Sequence, residues 1–279
     1  VKKKNLATVS VVLLASIISL AISLAGHNFP LYAQTTTDNL AELESGVFAT
    51  GDLAYVSGGK DLGSESYELT KLNSGEIKLT SEGVVTPPIP IPFVKPKIKF
   101  NQEIIVRSDL SPKDLMLDYN GPLGIGSSKI RATVSDGLVD ADLGGKEKSA
   151  QLNSSAAFFQ GTGSSSALTT LILASLNGSD KLTEIRTGGT GPQSGDEDRL
   201  LVNLELARKE TQELKINGSL ETVNRYVLND PGSSVDKVIL SREGTFIAYL
   251  RLGGENSFYV YRTDLLGEDY KFSSIEGQN

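Results

Sequence analysis

The sequence predicts a mainly β protein, an antiparallel sheet wound from two-stranded ribbons and covered by one short helix. Three observations carry that reading. Across residues 63–80, Tyr67 and Leu69 alternate with polar residues, Asn73-Ser74-Gly75 supplies turn chemistry, and Ile77 and Leu79 alternate on the return. Side chains along a strand point to opposite sides with period two, so this is a hairpin with one apolar face. Asp136-Gly137 joins two further alternating runs, Ser128–Ser135 and Leu138–Leu143, in the manner of a two-residue hairpin turn. Only residues 166–176 carry a convincing helical period, through Leu168, Leu171, Ile172 and Leu176.

Taken in order, Lys2-Lys3-Lys4 precede an uncharged apolar run over 6–25, and Ala33 closes a short cleavage-like stretch. Residues 1–33 therefore read as a cleavable secretory signal peptide, which places the remainder in the periplasm or outside the cell. The alternative is an uncleaved anchor, because about 20 apolar residues can span a bilayer. Residues 34–45 form a flexible N-terminal arm, 46–270 a single antiparallel β domain, and 271–279 a C-terminal tail. The formal charge is −7, and without the three leader lysines it falls to −10. That acidity argues against nucleic acid as a partner. Once the leader is gone, the protein is expected not to be integral to a membrane.

Within the β domain, 46–56 is a first strand, broken near Gly51-Asp52. The hairpin follows and runs on through Val84 and Val85. The prolines between 87 and 96 lack the N–H that a sheet requires, so this segment is an extended connection. Its Ile89, Ile91 and Phe93 form one apolar edge, with two readings: a rigid crossover covering the core, or a contact site for a ligand or partner. Strands are expected at 98–107, 115–119, 128–135, 138–143 and 146–152. The helix starts among Ser164, Ser165 and Ser166, which offer N-caps, and stops at Asn177-Gly178. A glycine-rich loop over 188–198 precedes strands at 200–206, 213–216, 220–228, 235–240, 246–252 and 258–263.

The chemistry available is narrow. There is no cysteine, and the single histidine, His27, lies in the leader. Ser-His-Asp and Cys-His catalysis, histidine-bound metals and thiol redox chemistry are thereby excluded for the exported part. Asp196-Glu197-Asp198 lacks the order of a calcium loop and reads as a solvated acidic loop. Asp140 and Asp142 share one strand face, read as solvent-facing. Gly161-Thr162-Gly163 and Gly189-Thr190-Gly191 match neither the phosphate-loop nor the dinucleotide pattern and read as flexible loops. No cofactor or metal is expected, and no catalytic residue is assigned.

The ribbon opening with Leu62-Gly63-Ser64-Glu65-Ser66-Tyr67-Glu68-Leu69, the proline-aliphatic loop, the Asp136-Gly137 hairpin and the closing run from Val238 to Arg262 carry a resemblance. Their rhythm resembles uncharacterised secreted bacterial proteins of the lipoprotein-carrier-like and glycolipid-binding half-barrel group, over roughly 46–264. The resemblance implies a strongly curved antiparallel sheet, an open or half barrel, that takes a lipid or acyl group in its concavity. The corresponding side chains here would be Leu69, Ile77, Leu79, Ile104 and Val106 on strands, covered by Leu168, Leu171 and Ile172 of the helix. The reading is of a non-catalytic binding module. Two alternatives stay open: an adhesive or structural envelope protein that binds another protein through exposed loops, and a hydrolase built on two facing carboxylates.

Overall fold

The structure is a computed structural model. It describes residues 40, 42–86, 96–124, 127–154, 156–176, 181–187, 199–231, 236–252, 257–268 and 270. The chain divides into two units, Val1–Ala33 and Gln34–Asn279, and every described residue belongs to the second. Ile89, Ile91, Phe93 and the glycine-rich segment 188–198 lie outside the described residues.

Among the described residues, fifteen strands form one sheet. The first eight are β1 (Gly46–Ser57), β2 (Lys60–Lys71), β3 (Ile77–Val85), β4 (Ile98–Val106), β5 (Pro112–Asn120), β6 (Ser128–Ser135), β7 (Leu138–Leu143) and β8 (Glu147–Gln151). Then come β9 (Ala157–Gln160), helix α1 (Ser165–Ser175), β10 (Lys181–Arg186), β11 (Leu201–Ile216) and β12 (Ser219–Asn229). The chain closes with β13 (Asp236–Arg242), β14 (Thr245–Leu252), β15 (Phe258–Arg262) and the single-turn helix α2 (Thr263–Leu266). The mainly β, open and curved sheet expected from the sequence is what forms.

Strand order is β8 to β1, then β15 down to β9, so two meanders are joined where β1 pairs with β15. This order forces curvature. Strands β8 and β9 are the two edges of the sheet, yet only residues 152–156 lie between them in the chain. Six Cα steps reach at most about 22 Å. Laid flat at about 4.8 Å per strand, fifteen strands would put the edges roughly 67 Å apart. The sheet must therefore roll up until its edges approach, and β9 does come into contact with β5.

The alternation in the sequence sets the inner face. On β4, Ile98, Phe100, Gln102, Ile104 and Val106 are buried while the residues between them are more open. Asp136-Gly137 makes the expected turn, with positive φ at both residues, as a tight hairpin matched to strand twist requires.

Helix α1 connects β9 to β10, which pair in parallel and so need a crossover. Residues Ser165 to Leu173 of this helix are all buried. A helix enclosed on every side packs inside the roll rather than across its mouth.

Three departures from the sequence reading have physical causes. First, 200–206 and 213–216 belong to one 16-residue strand, β11. The charged middle of β11 lacks apolar alternation, but pairing with β12 holds it, helped by the ion pair between Arg225 and Glu210. Second, β9 and β10 were not legible, since Ala157-Phe158-Phe159 is buried without alternation and β10 buries Thr183 and Glu184. Third, the β11–β12 ribbon reaches beyond its neighbours and packs Leu214, Ile216 and Val223 with Val238, Leu240 and Ile247 in a second core. The backbone N–H of Asn217 at its tip donates to the Leu265 carbonyl of α2 at 3.0 Å. Strand β13 is consequently covered on both faces, with residues Lys237 to Ser241 all buried. Among the described residues, no helix is long and apolar enough to cross a membrane.

Candidate functional site

Among the polar groups buried in the described residues, two groupings lie against α1. The first fixes the start of α1. Glu65 on β2 lies on the same face as Tyr67 and Leu69 and is 2% exposed. Its Oε1 accepts from the Ser164 hydroxyl at 2.6 Å and from the Thr162 hydroxyl. Its Oε2 accepts from the Ser164 backbone N–H at 3.1 Å and from the Tyr55 hydroxyl. Four donors thus meet the roughly four acceptor sites of one carboxylate. The Tyr55 oxygen in turn accepts the Gly163 N–H at 2.6 Å.

Gln102 on β4 completes the clamp. Its Oε1 accepts the Thr162 N–H at 2.7 Å, and its Nε2 donates to Ser164 Oγ at 3.1 Å. A negative charge beside the first turn also suits the helix dipole. Ser164 precedes the helix but makes no side-chain cap, because its hydroxyl is committed to Glu65. In place of the serine capping expected from the sequence, the N–H groups of Ser165, Ser166 and Ala167 donate to the backbone carbonyls of Thr162, Gly163 and Ser164, while the Glu65 carboxylate anchors Ser164 itself.

Gly161-Thr162-Gly163 is correspondingly a closely packed connection, not the flexible loop the sequence suggested. A Cβ at Gly161 would lie 1.8 Å from Gln102 Oε1, and one at Gly163 would lie 2.6 Å from Val260 Cγ1. These glycines allow the backbone to press against β4 and β15.

The second grouping lies along a cavity of about 90 Å³ between α1 and the inner wall of the sheet. Its apolar wall includes Phe100, Phe158, Phe258, Ile239 and Val260. The polar side chains facing it include Thr169 of α1, Glu184, Lys237, Tyr119, Tyr249 and Arg251. Glu184 is 1% exposed and forms an ion pair with Lys237. Beside it, Arg186 pairs with Asp230 at 2.6 Å.

Arg251 forms no ion pair or hydrogen bond with another described residue, and the hydroxyls of Tyr119 and Tyr249 make no hydrogen bond among them. Burial, reinforced by Glu184, pushes the Tyr249 phenol above its ordinary range; burial, reinforced by Glu65, does the same for Tyr119. Both are held as neutral hydroxyls that can donate. Burial first, then the charge of Glu65, raises Tyr55 as well.

The side chains assigned from the sequence to a ligand are elsewhere. Leu69, Ile77, Leu79, Ile104, Val106, Leu168, Leu171 and Ile172 come together in the main core, each no more than 4% exposed. None of them lines the cavity. That part of the concavity is filled by the protein's own side chains. Alternation identifies inward positions but does not distinguish a packed interior from an open one. Asp140 and Asp142 lie on the exposed face of β7, as expected. Among the described residues, no three carboxylates or histidines converge in a way that could hold a metal.

No protein-family model matches the chain, and no curated protein matches it in sequence. Two solved structures are similar. One is a β-barrel-like protein of the domain of unknown function DUF1849 from Brucella abortus, at 12% identity and TM-score 0.46, covering 78% of this chain and 95% of that one. The other is a DUF1089 family protein from Pseudomonas aeruginosa, at 10% identity and TM-score 0.39, covering 67% of this chain and 89% of that one. Both descriptions are of uncharacterised families, and neither names the lipoprotein-carrier-like group expected from the sequence.

Proposed function

We propose that this chain is an exported, non-catalytic binding protein that accepts an acyl group or similar apolar moiety in the cavity beside α1. One observation carries the reading. Aromatic and aliphatic side chains line a space at whose wall Arg251 and the hydroxyls of Tyr119 and Tyr249 make no hydrogen bond among the described residues. Ligand sites are characteristically apolar pockets with a small number of placed polar groups.

Size narrows the proposal. About 90 Å³ is several times the roughly 10–15 Å³ needed to admit one water, yet below the roughly 300–1,000 Å³ of pockets for drug-sized ligands. The occupant is therefore a short chain or one end of a longer one. A non-catalytic role is supported by the state of the buried carboxylates. Glu65 is saturated by four donors and Glu184 is paired with Lys237, so neither is free to act as an acid or base. The test is native mass spectrometry with lipid extraction on protein purified from its exported fraction. A stoichiometric co-purifying acyl compound supports the reading. Protein that is empty and takes up no fluorescent fatty acid contradicts it.

A further inference from the structure

We propose that Arg251, with Tyr249 beside it and Lys237 across from it, receives an anionic head group, so that the ligand is a short-chain carboxylic acid rather than a neutral lipid. This rests on the binding reading above and specifies the chemistry of the same cavity.

Lys237 on β13 is paired directly with Arg251 on β14, and both side chains face the cavity. Like charges directly opposite on one face of a sheet repel. The wall offsets only part of this. Glu184 neutralises Lys237, and Asp230 neutralises Arg186 two residues from Glu184, which leaves the Arg251 guanidinium as excess positive charge. Tyr249 precedes Arg251 by two residues on the same strand face, and its hydroxyl is likewise without a hydrogen bond among the described residues.

A planar fork of N–H donors next to a neutral phenol suits a carboxylate, which can accept from both. Next to them are Phe258, paired across from Arg251 on β15, and Ile239, paired across from Tyr249 on β13. A carboxylate at Arg251 would leave an attached alkyl chain against those apolar groups. One wall thus offers a cationic anchor and an apolar surface, the two chemistries of a fatty acid.

The experiment is calorimetric titration of the full exported chain with octanoate and, separately, with octanol, at neutral pH where octanoate is ionised. The same titrations follow on Arg251→Gln and Arg251→Lys. Arg251 is half-buried and makes no ion pair or hydrogen bond among the described residues, so both variants are expected to melt close to the unaltered protein.

The proposal expects octanoate to bind at least about tenfold more tightly than octanol. It expects Arg251→Gln to abolish that preference while octanol affinity stays the same, and Arg251→Lys to retain part of it. Equal binding of the two probes by the unaltered protein overturns the proposal and leaves the binding reading intact. So does an Arg251→Gln variant that weakens both alike or neither. Failure of both probes to bind overturns the binding reading and this inference with it.

Discussion

Glu65 and Ser164, 99 residues apart in sequence, are joined twice: the serine's backbone N–H donates to Oε2 at 3.1 Å and its hydroxyl to Oε1 at 2.6 Å. One strand residue thereby fixes the point at which the chain enters the roll and begins its internal helix. The cavity lies along that same helix, so the clamp is a structural precondition for the site.

Replacing Glu65 tests that role. Glu65→Ala leaves the donors of Tyr55, Thr162 and Ser164 buried without their acceptor, and should cost about 3–5 kcal/mol. Glu65→Gln keeps the shape but brings an NH₂ group against donors, for a loss of about 1–3 kcal/mol. Equilibrium unfolding in urea checks both. Losses below about 1 kcal/mol would show that α1 is held by apolar packing alone.

The tight passage at Gly161 gives a second prediction. A methyl group there would displace Gln102, which is already hydrogen-bonded to Thr162 and Ser164. Gly161→Ala should destabilise by about 1–3 kcal/mol through overpacking. Because the clash is with one side chain, Gln102→Ala in the same protein should cost less than the sum of the two changes. A double-mutant cycle in urea measures that coupling, and strict additivity would contradict the contact.

Buried phenols set an alkaline limit. Tyr55, Tyr119 and Tyr249 have raised pKa values, each first through burial. The unfolded chain therefore loses these protons at lower pH than the folded one does. Their contribution is fully present below about pH 10, the ordinary tyrosine value, and declines as pH rises toward the raised folded values. Tyrosinate absorbance should show part of the tyrosine population ionising only together with the loss of tertiary structure. Smooth titration of every tyrosine in a protein that stays folded would contradict the burial.

Acid acts in the opposite direction. Hydrogen bonding from Arg131 lowers Asp118, and that from Ser111 lowers Asp109. A depressed carboxylate contributes stability above its unfolded value of about 3.9 and loses it as pH falls through the lowered folded value. These groups are largely solvent-accessible, so the effect is small and screened. Between pH 5 and neutrality, urea midpoints should change little on their account, and added salt should reduce the decline below about pH 4. A steep loss above pH 5 would place the sensitive carboxylates elsewhere.

Much of the architecture was legible because the sheet obeys period two. The ribbons around residues 63–80 and around Asp136-Gly137, and the helix over 166–176, were visible as patterns. Polar residues in inward phase are the less conspicuous signal. Glu65 shares the parity of Tyr67 and Leu69, and Gln102 that of Phe100 and Ile104, so each was a detectable sign of a buried polar group. Lys237 and Arg251 lay inside strands and carried no signal of their own until the β13–β14 register set them opposite each other. The most apolar inward residues, such as Leu79 and Ile104, are packed against one another and so do not border the open space.

If the cavity beside α1 is the binding site, filling it should abolish binding. Ile239 lines the cavity and is 2% exposed. Ile239→Phe adds a ring there, at an overpacking cost of about 1–3 kcal/mol that a urea titration can monitor. A fluorescent fatty acid titrated into both proteins should saturate one site in the unaltered chain and fail to bind the folded variant. Equal uptake by the two would contradict the account.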